Sequence, residues 1–195
     1  MAFFEPSMHH FEASSGMLSL NSPLPFHQNV PPEDWQEGIR AYLDAAALPV
    51  HFVGVGNPLR RDDGVGMFVA SELRARITGA MRHRAVVHGG SGSPESLLSR
   101  LPPDEGLVIF DAVEAGLGAG SIICAALRDT RYSFFATHNI PLKVIPGVAE
   151  RKESACVIGI EPESLEVGEG LTPRVKASAK ALTAELVEQL VGPHG

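Results

Sequence analysis

The sequence predicts an α/β fold: a three-layer α/β/α sandwich around a five-stranded, mostly parallel sheet whose fourth strand runs antiparallel. Three observations carry this reading. Short apolar runs rich in β-branched residues alternate with segments of helical period. The runs are bounded by Gly, Pro, Asn and Asp, as buried strands are. One link, from Asp111 to Ser121, is too short to hold the helix of a parallel crossover, so the strand after it should turn back.

Met1 to Pro32 is rich in Ser, Pro, Asn and His without a sustained period, and reads as a tail or surface arm. Pro31-Pro32-Glu33-Asp34 then opens a helix with Trp35, Ile39, Leu43 and Ala47 in a stripe. That helix either packs outside the core or offers a contact surface. Residues 1–48 are thus expected as an N-terminal arm with one helix, and residues 49–195 as the core domain.

The core begins with a strand at Val50 that ends in the Gly54–Gly56 turn. A helix follows from about Asp63 to Thr78, with Val65, Val69, Leu73 and Ile77 at every fourth position and Phe68 alongside. Ala85 to His88 is a short second strand. Ser93-Pro94-Glu95 opens a short helix through Leu97, Leu98 and Leu101, with Pro94 at its first position. Leu107 to Phe110 is a third strand that stops at Asp111, and Ser121 to Leu127 a fourth. A Pro-punctuated helical segment spans about Ile140 to Val148, and Ala155 to Ile160 is the fifth strand. Thr172-Pro173 starts the last helix as N-cap and first residue. Val175, Ala179, Leu182, Leu186 and Leu190 share one of its faces, and Gly192-Pro193 ends it.

The chain is organised around Val50 to Phe68, where Asp62 and Asp63 fall between a strand and a helix. Either acid can be a plain N-cap there, since the first N–H groups of a helix lack partners and its N-terminal end is positive. Two common phosphate-binding loops are excluded. The dinucleotide fingerprint needs a third glycine where Leu59 stands, and the phosphate loop needs Gly-Lys-Ser/Thr where Asp62-Asp63-Gly64 stands. Two carboxylates repel a phosphate, so the turn suits a cation.

In open α/β sheets ligands gather beyond the C-terminal ends of the strands. Asp63 after the first strand, Asp111 after the third and His138 ahead of the Pro141 helix are all expected at that rim. Together they make a mixed oxygen and nitrogen set, suited to nickel or zinc rather than magnesium or calcium, with positions left open for substrate or water. Taken singly, Asp111 could cap a turn and His138 could be a hydrogen-bonded loop histidine.

Composition narrows the field. At 195 residues, 44% hydrophobic and 20% charged, the chain suits one soluble domain with something added. A formal charge of −7 argues against nucleic acid. Cys124 and Cys156 lie in apolar runs and read as small core residues. No stretch approaches the about 20 apolar residues that cross a bilayer, and the N-terminus has no basic start followed by an apolar run, so a cytoplasmic protein away from membranes is expected. No serine triad, HExxH or CxxC is present to supply a nucleophile or a permanent zinc site.

Gly54-x-Gly56-Asn57-x-Leu59-x-x-Asp62-Asp63-Gly64-x-Gly66 resembles the opening motif of the hydrogenase maturation proteases. These endopeptidases remove a C-terminal peptide from the nickel-iron hydrogenase large subunit after nickel insertion. The resemblance continues through Leu107 to Ala112 and the turn to Gly120, through Ala136-Thr137-His138-Asn139-Ile140-Pro141-Leu142, and through Ile158 to Leu165 with Gly170-Leu171-Thr172-Pro173. It covers about Val50 to Leu190. It leaves Met1 to Pro49 aside, and Ala119-Gly120 stands where Pro-Gly is frequent.

The resemblance implies a phosphorylase/hydrolase-like fold for the core domain. It implies that Asp63, Asp111 and His138 are catalytic and contact nickel, with Asp62 supporting the turn. The nickel is supplied by the substrate, with no permanently bound cofactor, and the partner is the large-subunit precursor, with neither nucleic acid nor membrane involved. Cleavage could use a metal-polarised carbonyl, a metal-activated water or one carboxylate as base. Two rival readings stay open: a chaperone that binds the precursor without cutting it, and a nucleotide or small-molecule binding module on a similar sheet. A peptidyl-tRNA hydrolase shares the architecture, but the acidic charge and the Asp-Asp turn disfavour tRNA.

Overall fold

The computed structural model describes residues 34–89, 93–127 and 155–191. Five strands form one sheet: β1 (Val50–Gly54), β2 (Ala85–His88), β3 (Gly106–Ala112), β4 (Ile122–Ala126) and β5 (Ala155–Ile160). Their order across the sheet is β2-β1-β3-β5-β4. The pairs β1–β2, β1–β3 and β3–β5 are parallel, and β4–β5 is antiparallel. All seven residues of β3 and all six of β5 are buried, as the unbroken apolar runs require for strands covered on both faces.

One face carries α1 (Trp35–Ala45), α2 (Val65–Arg76) and the last helix, α4 (Pro173–Val191). Phe52, Val69, Leu73, Phe110, Ile158, Ile160, Leu182 and Leu186 meet in the core beneath them. On the other face α3 (Pro94–Leu98) and Leu101 pack with Val53, Leu107, Ile109 and Val157. These are the three expected layers. Val175, Ala179, Leu182, Leu186 and Leu190 of α4 are all buried, and so are Val65, Val69, Leu73 and Ile77. Ser93 caps α3 by accepting from Ser96 N, with Pro94 first in the helix. Among the described residues, no helix is long and apolar enough to cross a membrane.

The N-terminal helix joins this core. Ile39, Tyr42 and Leu43 are buried, whereas Ala47 of the expected stripe is exposed beyond the helix end. The Tyr42 hydroxyl donates to Leu107 O and accepts from Leu107 N, both at 2.9 Å, which fixes α1 to the start of the central strand.

As expected, the short link after β3 reverses the chain: β4 runs antiparallel to β3, with β5 between them. Two sequence readings need correcting. The third strand does not stop at Asp111. Asp111 and Ala112 stay in the ladder opposite Gly159 and Ile160, so Asp111 belongs to a strand rather than capping a turn. The helix after β1 does not start at Asp63. A 3-10 turn, Arg61–Gly64, comes first, and Gly64 takes the N-cap position of α2 with no side-chain cap bond. Neither Asp62 nor Asp63 is an N-cap, since both side chains turn inward and are wholly buried. The helical segment expected over Ile140 to Val148 lies outside the described residues.

Candidate active site at the sheet rim

Close packing of glycines brings the 3-10 turn onto the ends of β1 and β3. At Gly66 a Cβ would collide with Phe110 O and Val55 O, so only glycine lets the start of α2 rest on the carbonyl that precedes Asp111. Gly56 adopts φ +126°, a conformation side chains resist, and a Cβ there would strike Asp63 O. These contacts set Asp63 and Asp111 at the same rim.

The two carboxylates are held alike. Asp63 Oδ2 accepts from Asn57 N at 3.0 Å and Asp111 Oδ1 from Ala112 N at 2.8 Å. Among the described residues, Asp63 Oδ1 and Asp111 Oδ2 are buried with no hydrogen-bond partner. Burial pushes the pKa of Asp111 well above the usual carboxylate range; the Ala112 N–H opposes the shift and the charge of Asp63 adds to it. A buried polar atom without a partner costs about 1–3 kcal/mol, so the pair is relieved either by a proton, as the raised Asp111 pKa reflects, or by a bound cation. Among the described residues no group of three or more His, Cys, Asp and Glu side chains could hold a metal ion. The third residue expected in the set, His138, lies outside the described residues.

Asp62 has a different task. Its Oδ2 accepts from Glu163 N at 2.9 Å, Ser164 N at 3.0 Å and Thr172 Oγ1 at 3.0 Å, and its Oδ1 from Thr172 N at 2.7 Å. Backbone bonds from Asp62 N to Ser164 O and from Arg61 N to Gly168 O run alongside. The first acid therefore fastens the loop before α4 to the turn before α2. Glu161 acts similarly at the other side, accepting from Ala115 N and Leu117 N to fix the link after β3. So the Glu-Pro-Glu-Ser stretch has a structural reason to accompany the Asp-Asp turn.

The cleft beside the rim encloses about 800 Å3, and its lining includes Asn57, Leu59, His88, Ser93, Leu97 and Arg100. Its lining residue His88 ends a chain of polar residues to which the sequence reading assigned no role. Glu105 Oε2 pairs with His51 Nε2, and His51 Nδ1 lies 2.7 Å from His88 Nε2. The signal was available: His51 interrupts an apolar strand, and a buried imidazole requires partners. Cys124 and Cys156, by contrast, are free thiols buried side by side at 3.5 Å, as core residues were expected to be.

Comparison with known proteins bears on the family and the fold. A family model described as hydrogenase maturation protease matches residues 67–189. The hydrogenase 2 maturation protease of Escherichia coli is 26% identical over 147 residues, covering 71% of this chain and 88% of that protein. The solution structure of the endopeptidase HycI from Escherichia coli superposes with a TM-score of 0.59 at 26% identity, covering 76% of this chain and 94% of the other. The [NiFe] hydrogenase maturation protease HycI from Thermococcus kodakarensis has the same fold, with a TM-score of 0.67 at 22% identity over 79% of this chain and 99% of its own. The family match takes in more than half of the sequence and includes Asp111 and the Asp62-bound loop, and the chain belongs to the hydrogenase maturation protease family.

Proposed function

We propose that this peptidase removes the C-terminal extension of a nickel-iron hydrogenase large-subunit precursor, and that Asp63, Asp111 and His138 recognise the nickel the precursor carries. One observation supports the reading above others: two buried carboxylates, each anchored by one backbone N–H, each keep one oxygen without a partner at a single rim. An ion bound to the substrate satisfies both oxygens at once and relieves their repulsion. It is a borderline metal that an oxygen and nitrogen set prefers.

In this reading metal recognition and peptide placement are one event. The precursor's nickel seats on the rim, and the scissile bond is thereby held beside the cleft, where fixed geometry replaces a chance encounter. A precursor without nickel offers nothing to neutralise Asp63 and Asp111, so it docks poorly and stays uncut. The enzyme then acts as a checkpoint on metal insertion, with the nickel leaving in the product.

The test is to incubate the purified chain with nickel-loaded and nickel-free precursor and to measure the C-terminal mass of the large subunit. Truncation of the loaded form alone is expected. Equal truncation of both forms rejects the checkpoint, and no truncation of either rejects the protease reading.

A further inference from the structure

The chain Glu105–His51–His88 has a direction. A carboxylate only accepts hydrogen bonds, so His51 carries its proton on Nε2, facing Glu105. With His51 neutral, its Nδ1 is an acceptor and His88 Nε2 donates to it across the 2.7 Å contact. The rings stack with centroids 5.0 Å apart and planes inclined by 22°, which limits their rotation. The edge of His88 left for the cleft it lines therefore carries Nδ1 with a free electron pair.

The sheet register places this nitrogen's residue relative to the carboxylates. Val53 is in register with both His88 and Ile109, and side chains in register on parallel strands share a face. Asp111, two residues beyond Ile109, points to that face as well. Two strand spacings across and two residues along put the Cα atoms of His88 and Asp111 about 12 Å apart. A peptide held at the carboxylates and running into the cleft would extend toward His88, which lines it.

We propose that His88 takes the proton of the water that attacks the scissile peptide, with His51 and Glu105 as positioning residues. The inference rests on the protease reading and names the group that does acid and base work while Asp63 and Asp111 are engaged by the ion. The water oxygen bonds to the carbonyl carbon as one of its protons moves to His88 Nδ1. When the C–N bond breaks, that proton passes to the leaving nitrogen. Products are a carboxylic acid and an amine, and His88 returns to its neutral form. Burial holds the His88 pKa below its usual value, and a positive charge on His51 would only lower it further, so the ring is neutral near pH 7 and able to accept. The other charges around it are Glu105 behind His51, Arg74 of α2, which donates to Gly89 O at 3.1 Å, Arg100 across the cleft, and Glu95 of α3, which is bonded to Ser93.

The experiment compares the full chain with His88→Gln and Glu105→Gln on nickel-loaded precursor, reading kcat, KM, precursor binding and the pH profile. His88→Gln is expected to lower kcat about 10²- to 10⁴-fold with KM and nickel-dependent binding unchanged, which also shows that the variant is folded. Glu105→Gln is expected to lower kcat less than His88→Gln does and to move the acid limb of kcat to lower pH, because losing the carboxylate makes His88 harder to protonate. Nitrogen NMR of labelled histidine should find both His51 and His88 protonated at Nε2 alone near pH 7. Undiminished kcat in His88→Gln, an unmoved acid limb in Glu105→Gln, or the opposite tautomers each overturn the inference while the protease reading stands. Absence of cleavage by the unsubstituted chain overturns that reading and the inference with it.

Discussion

Thr172 is tied to Asp62 twice, through its backbone N–H to Oδ1 at 2.7 Å and through its hydroxyl to Oδ2 at 3.0 Å. Together with Glu163 N and Ser164 N, these bonds fill a buried carboxylate with four donors. Replacing Asp62 by Ala leaves three backbone N–H groups without acceptors. The expected cost is at least about 3 kcal/mol, or roughly 6–12 °C in Tm, measured by thermal unfolding. A variant that melts within a degree of the parent would mean that the loop before α4 is held by something else.

Asp111 gives the opposite sign. Its raised pKa means that the folded chain binds this proton more tightly than the unfolded chain does. Stability therefore falls as pH rises from the ordinary aspartate range through the folded pKa, and the loss is complete above it. Asp111→Asn removes that loss. Without nickel, its Tm at pH 7 should exceed the parent's by roughly 2–8 °C, and the gap should close by about pH 3, where the parent's carboxyl is protonated in both states. Cleavage of loaded precursor should fall at least about a hundredfold in the same variant. Calorimetry at the two pH values and an activity assay test both halves.

Gly66→Ala probes the packing beneath the carboxylates. The added methyl meets two backbone oxygens, Phe110 O and Val55 O, neither of which can swing aside as a side chain does. A cost of about 2–3 kcal/mol or more is expected. Cleavage should fall too, because α2 must lift off β3 and carry Asp63 away from Asp111. Urea titration beside the cleavage assay reads both; full activity at parental stability would contradict the close approach.

Tyr42→Phe tests the attachment of the N-terminal helix. One hydroxyl serves both Leu107 N and Leu107 O, so its loss leaves two buried backbone groups unpaired for about 1–3 kcal/mol. Hydrogen exchange at the Leu107 amide should quicken as well. An unchanged denaturation midpoint would show that α1 is an appendage rather than part of the core.

The parts of the fold legible in the sequence were those set by local pattern. The stripe from Val175 to Leu190 on α4, the Ser93-Pro94 start of α3 and the apolar runs of β3 and β5 each follow from spacing or capping chemistry within a few residues. That Asp63 and Asp111 meet was readable because parallel strands deliver their ends to one rim. Strand neighbours were less so: the short link fixes the direction of β4, while its partner β5 is chosen by pairing over a long separation. Asp62 could be read as a helix cap or as a support of its own turn, but not as the clasp of a distant loop, because its amide partners at Glu163, Ser164 and Thr172 cannot be inferred from its own surroundings. The Glu105–His51–His88 chain was missed for the same reason: three strands or their approaches supply one residue each.

The sheet order also governs assembly during synthesis. β4 emerges from the ribosome before the strand it pairs with, and Asp62 emerges well before the loop that fills it. Non-local pairings of this kind form late. A nascent chain halted short of Thr172 should thus remain open to digestion, and one released past α4 should become resistant. A peptidase assembled in this sequence has no finished rim until the loop that carries Thr172 has reached Asp62, so its activity must follow the closing of that clasp.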